Sequence, residues 1–199
     1  MMKEYTEKEI AIFKGTLALA SEGKNMHLVT VQDIANAAGV GKGTIYDYFS
    51  SKEEIIVRTI IYAICLENVK ARQITEEKLT FREKMYAIYD IVLDSVTNRL
   101  SSFNMIVSVG GIGEVGKISQ DYTQEFDQIA KQSEELLGEI LKFGAIEGSI
   151  LAPRDLEYTR MAVTSNILAI GKASVDKLVP FDGEKIKSNG YKMLVKTLN

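Results

Sequence analysis

Apolar residues recur at spacings of three and four along most of this chain, and the sequence holds only two prolines, Pro153 and Pro180. Such spacing places side chains on one face of an α-helix, and proline is the residue that interrupts helices most strongly. The pattern therefore predicts an all-α protein. A chain of 199 residues is long enough to bury a hydrophobic core and to form one or two domains.

Local signals predict where the individual helices begin and end. The first apolar stripe lies between residues 10 and 20, and Gly23 follows it as the expected C-terminal cap. A longer helix is predicted to begin at Ser51, because Ser51 and Glu54 have the spacing of a capping box. The polar stretch 72–80 predicts a break after that helix. Later stripes predict one helix from Phe81, one around 126–143, one from Leu156 to about Val175 and a last one over about 184–198.

Composition excludes several classes of protein. Hydrophobic residues make up 46% and charged residues 26%, which is typical of globular domains and unlike disordered or collagen-like chains. The single cysteine, Cys65, has no internal partner for a disulfide and lies in an apolar run, as in proteins of a reducing compartment. No apolar stretch approaches the ~18 residues that span a bilayer, and the first ten residues have no signal-peptide core. A soluble, cytoplasmic protein is predicted.

The charge of the chain bears on its partners. A net charge of −3 and a pI near 5.4 argue, taken alone, against an acidic partner such as DNA. Residues 1–52 are neutral, with six lysines (3, 8, 14, 24, 42, 52) and six acidic residues (4, 7, 9, 22, 33, 47). A neutral segment can still bind DNA if its lysines share a face, because phosphates respond to the potential within a Debye length of ~8–10 Å.

Residues 30–49 have the pattern of two short helices joined by a tight turn. Thr30 is a hydroxyl N-cap with Asp33 three residues on, and Gly39 can adopt the left-handed conformation that a sharp turn requires. Val40 is expected to fill the angle between the helices from the inside. The simplest alternative is a tight helical hairpin within an all-α core.

The second short helix has two different sides. Ile45 and Phe49 are four residues apart and point inward, so Lys42, Tyr46 and Asp47 must project outward. The glycines at 41 and 43 leave the start of this helix without bulk, so its backbone can approach a phosphate or a base edge. This geometry predicts a recognition helix.

The run TVQDIANAAGVGKGTIYDYFSSKEEI, residues 30–55, closely resembles the DNA-binding signature of the TetR family of transcriptional regulators. The resemblance includes the A-x-x-A-G-V turn, the K-G-T-I-Y start and the Y-F-x-S-K-E-E exit. It extends over residues 7–60 and is weak afterwards, where only helix order and length are similar.

The resemblance implies roles for seven residues in DNA binding. Thr30 matches a position that touches the DNA backbone, and Lys42 and Gly43 match positions that face base edges. The matches to positions that contact phosphates or bases are Thr44, Tyr46, Tyr48 and Lys52.

Simpler interpretations stay open for some of these side chains. Tyr46 and Tyr48 could each be packing residues only, and Asp47 either accepts from a cytosine amino group or stays in solvent, which is favoured. His27, the only histidine, has no second ligand nearby, so a surface or packing role is favoured over a metal site.

The resemblance also implies a domain organisation. Residues 1–50 form the helix-turn-helix DNA-binding domain, residues 51–199 form a helical effector-binding and dimerisation domain, and the helix from 51 to about 71 connects the two. The homodimer forms through about 121–147 and 155–176. In the second segment Ala162, Ser165, Ala169 and Ala173 line one side, and Val163, Ile167 and Ile170 line another. A helix buried wholly within one monomer is the alternative.

The segment 110–116 contains a G-x-G-x-x-G string, as dinucleotide-binding enzymes do. The string lies between helical patterns without the parallel sheet that such sites need, so a loop or broken helix is favoured. With one histidine and one cysteine, the chain offers no set of residues typical of catalysis or metal binding. No enzyme activity, cofactor or metal is predicted.

The predicted function is a DNA-binding transcriptional regulator, usually a repressor, that binds a palindromic double-stranded DNA operator as a dimer and is released by an unknown small-molecule effector. Candidate residues of the effector pocket are Tyr89, Phe103, Met105, Phe126 and Asn166. The alternatives are a helix-turn-helix regulator controlled by a protein partner and a helical enzyme. A membrane partner is not expected.

Overall fold

The computed structural model describes residues 4–97, 101–152, 155–175 and 181–199. Its helices are α1 (Glu7–Ser21), α2 (Val31–Ala38), α3 (Lys42–Tyr48), α4 (Lys52–Glu76), α5 (Phe81–Thr97), α6 (Ser102–Ser108), α7 (Ile112–Ile118), α8 (Thr123–Glu147), α9 (Leu156–Val175) and α10 (Gly183–Leu198). A 3-10 turn, Gln120–Tyr122, precedes α8. The predicted all-α class is confirmed. Within the described residues, no helix is both long and apolar enough to cross a membrane.

The chain divides into two compact units. The first comprises Met1–Leu66 with Asn98–Ala130, and the second comprises Glu67–Thr97 with Lys131–Asn199. The predicted domain boundary at residue 50 is a boundary of function and stays a prediction. By compactness, the first part of α4 and helices α6 and α7 belong to the same unit as α1–α3.

The core of the first unit holds α1, α2 and α3 together. Phe13 of α1 is fully buried and packs against Phe49, with ring centroids 5.8 Å apart, and against Tyr62 of α4 at 5.1 Å. Ile34 of α2 and Ile45 of α3 are also fully buried in this cluster. Burial of large apolar side chains is the main favourable term in folding, so this core fixes the position of the two short helices.

Helix α1 lies very close to α2 at Gly15. A Cβ atom added at Gly15 would lie 2.7 Å from the backbone nitrogen of Ala38 and 2.9 Å from the carbonyl carbon of Ala37. Such distances are shorter than van der Waals contact, so only glycine fits there. The contact places the end of α2 directly on α1.

The segment 110–116 forms a break between two short helices. Gly110 and Gly111 have φ angles of +98° and +94° and separate α6 from α7. Glycine adopts such angles without strain, whereas other residues rarely do. The favoured prediction of a loop or broken helix is confirmed, because the glycine string spans the junction of two helices.

The second unit has its own core, built from α5, α9 and α10 with parts of α4 and α8. Phe81, Tyr89 and Ile140 are fully buried there, and Leu194 of α10 is 1% exposed. On α9, Val163 and Ile170 are buried in this core, while Ser165 and Ala169 are exposed. The apolar side predicted for this helix therefore faces the core of its own unit.

Candidate nucleic-acid interface

Helix α2 begins with a complete capping box. The Asp33 amide donates to the Thr30 hydroxyl at 3.2 Å, and the Asp33 carboxylate accepts from the Thr30 amide at 2.9 Å and from the Thr30 hydroxyl at 2.7 Å. These hydrogen bonds from Thr30 hold the pKa of Asp33 below its usual range. Thr30 is exposed, as a DNA-contacting residue must be, but its hydroxyl proton is directed at Asp33 rather than outward.

The turn after α2 has the predicted geometry. Gly39 has a φ of +69°, and its amide donates to the carbonyls of Ala35 and Asn36. Val40 is half-buried and packs against the core of the first unit. Because α3 starts at Lys42, only three residues separate the two helices. Helix α2, this turn and α3 form a helix-turn-helix.

Helix α3 has one buried side and one exposed side. Ile45 is fully buried and Phe49 is 2% exposed. Lys42 and Asp47 are exposed, and 54% of Tyr46 is accessible to solvent. The predicted division of this helix into inward and outward positions is confirmed. The outer side carries an ammonium group and a phenol, which can donate to base edges or phosphates, and a carboxylate, which can accept only from a base amino group.

The remaining residues predicted to contact DNA on α3 differ in exposure. Gly43 is exposed, and nothing lies within 4 Å of the position that a Cβ would occupy. Thr44 is half-buried, and Tyr48 is exposed at 36% with its ring 6.4 Å from that of Phe49. Of the two tyrosines, Tyr46 is thus the more accessible, and the packing interpretation suits Tyr48 better.

Lys52 has a set of partners that the sequence did not suggest. Its Nζ atom donates to three main-chain carbonyls, those of Met26 at 3.2 Å, His27 at 2.9 Å and Val29 at 3.1 Å. An ammonium group has three N–H donors, so these bonds occupy all of them. The side chain joins the first residue of α4 to the turn that precedes α2.

That turn is also attached to the end of α6. The Met26 amide donates to the carbonyl of Ser108 at 3.0 Å, and Nε2 of His27 donates to the carbonyl of Val109 at 2.9 Å. Met26 is fully buried, and His27 is exposed. The only histidine is thus placed as a surface residue with a structural hydrogen bond, which agrees with the interpretation favoured for it.

The start of α4 differs in one detail from the predicted capping box. The Glu54 amide donates to the Ser51 hydroxyl at 3.0 Å, as predicted. The Glu54 carboxylate, however, accepts from the amide of Ser50 at 2.8 Å and from its hydroxyl at 2.7 Å, rather than from Ser51. The Glu54 carboxylate therefore binds the residue before the predicted N-cap, in the segment that joins α3 to α4.

Glu54 also takes part in an ion-pair network with α8. Arg58 donates through Nε to Glu54 at 3.3 Å and through Nη1 to both oxygens of Glu125, at 2.9 and 3.1 Å. Partial burial acts to raise the pKa of Glu54, but the hydrogen bonds from Ser50 and Arg58 outweigh it and hold the pKa below its usual range. The network connects the exit of α3 to the first half of α8.

The residues predicted to line an effector pocket fall into two groups. Tyr89 and Asn166 are buried in the second unit, where the Tyr89 hydroxyl donates to Asn166 Oδ1 at 2.7 Å and Asn166 Nδ2 donates to the carbonyl of Gly190 at 2.9 Å. Burial raises the pKa of Tyr89 above its usual range. Met105 is fully buried in the first unit, where Phe126 packs against the same cluster, and Phe103 is half-buried.

The second unit has a groove of about 670 Å³ between α8 and α9. Its apolar lining includes Leu137, Leu141 and Val163, and Arg160 and Glu134 also line it. Two apolar side chains of its lining are strongly exposed, Ile146 at 78% and Leu156 at 80%. Elsewhere on α9, Met161 is 62% and Leu168 is 65% exposed. Within the described residues, no group of three or more His, Cys, Asp or Glu side chains is placed to hold a metal ion.

Comparison with known proteins connects this interface to a class of regulators. Residues 12–59 match the model of the bacterial regulatory proteins of the tetR family. The fatty acid metabolism regulator protein of Bacillus subtilis is 25% identical over 166 residues, which cover 83% of this chain and 82% of that protein.

Solved structures share the fold over almost the whole chain. The fatty acid degradation regulator FadR from Bacillus halodurans has a TM-score of 0.74 at 20% identity, covering 97% of both chains. The transcriptional regulator FadR from Bacillus subtilis, in complex with stearoyl-CoA, has a TM-score of 0.70 at 20% identity, covering 96% of this chain and 99% of that one.

Proposed function

We propose that this chain, a transcriptional regulator of the TetR family, binds a pseudo-palindromic operator as a homodimer, represses the genes it controls, and is released from DNA by a small-molecule effector. The observation that carries the DNA-binding part is the outer side of α3. Lys42 and Tyr46 are exposed there, while Ile45 behind them is fully buried. A helix with one side fixed in a core and polar groups on the other is suited to enter a major groove.

Each proposed DNA contact has a suitable chemistry. The ammonium group of Lys42 can donate to guanine O6 and N7, and the absence of a side chain at Gly43 lets the helix approach base edges closely. The Tyr46 and Tyr48 hydroxyls can donate to phosphate oxygens, and the Thr44 methyl group can contact a thymine methyl group. Thr30 is exposed at the start of α2, and its hydroxyl would have to turn from Asp33 to donate to a phosphate oxygen. A protein that acts on chromosomal DNA in this way works in the cytoplasm.

A homodimer through α8 and α9 is supported by the exposed side of α9. Met161 and Leu168 are 62% and 65% exposed, and Ser165 and Ala169 beside them are small, which permits close approach of another helix. The side with Val163 and Ile170 is already filled by the core of the unit. An apolar helix side that the monomer leaves exposed is expected where two identical subunits pack together.

The dimer interface is tested by adding a charge to the small-residue side. Ala169→Glu places a carboxylate where the partner helix would lie, while Asn189→Glu, at an exposed position of α10, adds the same charge elsewhere. Sedimentation should give a dimer for the parent chain and for Asn189→Glu, and a monomer for Ala169→Glu. A dimer that survives Ala169→Glu unchanged excludes this part of α9 from the interface.

For the effector, we propose a long-chain acyl-CoA. The support is the regulator of fatty acid metabolism among the relatives and the FadR structure that holds stearoyl-CoA. Binding would shift the helix that begins at Ser51 and so change the spacing of the two DNA-binding heads, because a ligand shifts an equilibrium only through unequal affinity for its two states. The residues predicted to line its site stay a prediction: Tyr89 and Asn166 lie in the second unit, and Phe103, Met105 and Phe126 lie in the first.

One experiment tests both DNA binding and release. The chain first selects its operator from random duplex DNA, and a gel-shift assay then compares the parent with Lys42→Ala and Tyr46→Ala. Lys42→Ala should lose affinity by about tenfold, since a good base contact contributes roughly 1–3 kcal/mol. Tyr46→Ala should also bind more weakly, because it removes a proposed phosphate contact. Unchanged binding by both variants rejects α3 as the reading helix.

The same duplex identifies the effector. Stearoyl-CoA should release the protein, whereas free CoA and stearate at the same concentration should release less. Failure of all three to release the duplex rejects the acyl-CoA class and favours control by a protein partner. A rise in the melting temperature with stearoyl-CoA provides an independent measure of binding.

A further inference from the structure

We propose that Lys52 serves DNA binding as a positioning residue, which fixes the turn 25–29 and through it the start of α2, and that it does not bind a DNA phosphate. This inference rests on the proposed DNA-binding function. It concerns a lysine at the N-terminus of α4, next to the helix-turn-helix, where a phosphate contact is the usual expectation.

The hydrogen bonds of Nζ are the first argument. The three carbonyls of Met26, His27 and Val29 lie 2.9 to 3.2 Å from the nitrogen. All three N–H donors of the ammonium group are thereby directed at the protein's own backbone. Binding a phosphate would require at least one of these bonds to break, and a partly buried carbonyl that loses its donor is unfavourable.

The position of the turn is the second argument. The carbonyl of Val29 is followed directly by Thr30, the N-cap of α2. Met26 on the same turn is bonded to Ser108, and His27 to Val109, at the end of α6. Lys52 thus completes a junction between the start of α4, the end of α6 and the start of α2. Movement of α4 or α6 relative to this turn would be transmitted to α2.

Lys42 provides the matched comparison within the same domain. It is exposed on the outer side of α3, and its ammonium group makes no hydrogen bond or ion pair within the described residues. Its ammonium group is therefore available to DNA in a way that the ammonium group of Lys52 is not. Substitution of the two lysines should therefore have different effects on the salt dependence of DNA binding. Replacement by arginine should also have different effects, and the two ammonium groups should differ in chemical reactivity.

Salt dependence separates a phosphate contact from a positioning role. The logarithm of the affinity falls with the logarithm of salt concentration, and the slope becomes shallower by about 0.9 for each phosphate that a variant no longer binds. Binding of the selected duplex is measured by fluorescence anisotropy over a range of potassium chloride concentrations. Lys52→Met should weaken binding by about tenfold because the competent conformation is less populated, with the slope unchanged.

Arginine substitution gives the second readout. Lys52→Arg keeps the positive charge, but the planar guanidinium group cannot point its donors at three converging carbonyls. We expect Lys52→Arg to bind the duplex about as weakly as Lys52→Met. The proposal is overturned if Lys52→Arg binds within twofold of the parent chain, or if Lys52→Met makes the salt slope shallower by the amount expected for one phosphate.

A third measurement uses the parent chain, so its result does not depend on whether a variant folds. Lysines are acetylated with a succinimidyl ester, with and without the duplex, and quantified by mass spectrometry. Lys42 should react rapidly in the free chain and become protected by DNA. Lys52 should react slowly in both states, because carbonyls surround its nitrogen. Rapid labelling of Lys52 in the free chain, followed by protection on DNA, is the opposite result and overturns the proposal.

The two proposals fail separately. If the chain selects no duplex, the DNA-binding function is rejected, while labelling of the free chain still decides whether Lys52 holds the turn. If the chain selects a duplex and Lys52 behaves like Lys42, only the positioning role is rejected.

Discussion

Arg58 on α4 donates through one nitrogen, Nη1, to both carboxylate oxygens of Glu125 on α8, at 2.9 and 3.1 Å. Arg72 and Glu139 form the same arrangement further along these two helices, at 2.9 and 3.0 Å. The pairs differ in exposure, because the Arg58 side chain is 16% exposed and that of Arg72 is 47% exposed. The two Arg–Glu contacts thus have similar geometry but different burial, and Arg58 additionally bonds Glu54.

This contrast predicts unequal contributions to stability. Glu125→Gln should reduce the free energy of unfolding by about 1 kcal/mol or somewhat more, since Arg58 loses a charged partner in a partly buried place. Glu139→Gln should change it by less than ~0.5 kcal/mol, as is usual for exposed pairs. Urea unfolding followed by circular dichroism measures both, and equal effects would contradict the role given to burial.

Glu54 predicts a pH dependence of stability. Its folded pKa lies below the usual value of 4.5 because Ser50 and Arg58 stabilise the carboxylate. A lowered pKa contributes stability that is present above the usual value and is lost as the pH falls through the folded value. The parent chain should be more stable than Glu54→Gln at pH 7, with the difference decreasing below about pH 4.5. A difference that is constant with pH would contradict this.

Gly15 predicts a steric effect on the helix-turn-helix. In Gly15→Ala the new methyl group would meet the backbone of Ala38 at 2.7 Å, so α2 has to move. Overpacking of this kind destabilises by roughly 1–3 kcal/mol, which exceeds the helix propensity gained. Both the DNA affinity and the melting temperature of Gly15→Ala should be lower than those of the parent chain. Gly116→Ala on α7 is the control, because nothing lies within 4 Å of its Cβ position.

Gly43→Ala, unlike Gly15→Ala, should stabilise the folded protein while it weakens DNA binding. An added Cβ meets nothing in the free protein, and alanine is the better helix former, so Gly43→Ala should raise the free energy of unfolding by up to about 1 kcal/mol. The same methyl group would occupy the space between α3 and the base edges and weaken DNA binding. If Gly43→Ala binds the selected duplex as tightly as the parent chain, the backbone at Gly43 does not approach the bases.

Substitutions at Tyr89 and Asn166 should have non-additive effects on stability. Their hydrogen bond at 2.7 Å is buried, so Asn166→Leu leaves the Tyr89 hydroxyl without a partner, at a cost of about 1–3 kcal/mol. Adding Tyr89→Phe removes the second partner as well, so the double variant should lose less stability than the sum of the two single variants. Thermal unfolding of the four proteins measures the coupling, and strict additivity would contradict the contact.

Much of the fold could be predicted because its signals are local. The capping box at Thr30 and Asp33, the left-handed Gly39 and the four-residue spacing of Ile45 and Phe49 each depend on a few neighbouring residues. These features fix α2, the turn and α3 without knowledge of the remaining chain. The same is true of α10, whose predicted start at Glu184 differs by one residue from the observed start at Gly183.

The features that could not be predicted depend on residues far apart in sequence. The carbonyls that hold Lys52 come from a turn 23 to 26 residues earlier, and Arg58 and Glu125 are separated by 67 residues. Gly15 has the appearance of an ordinary helical glycine until the backbone of α2 is placed against it. Each is a fact of tertiary packing, for which a single sequence holds no periodic signal.

The acidic groups beside the reading helix have a consequence for how a copy of this protein finds its operator. Asp33 at the start of α2 and Asp47 on α3 are both exposed, and residues 1–52 carry no net charge. Attraction to bulk chromosomal DNA comes almost wholly from positive charge, and sliding along the duplex depends on it. Under the proposed DNA-binding function, the carboxylates of Asp33 and Asp47 offset part of the local attraction that Lys42 exerts on phosphates. Occupancy of the proposed operator should then be less sensitive to competing DNA than that of a regulator with a strongly basic DNA-binding domain.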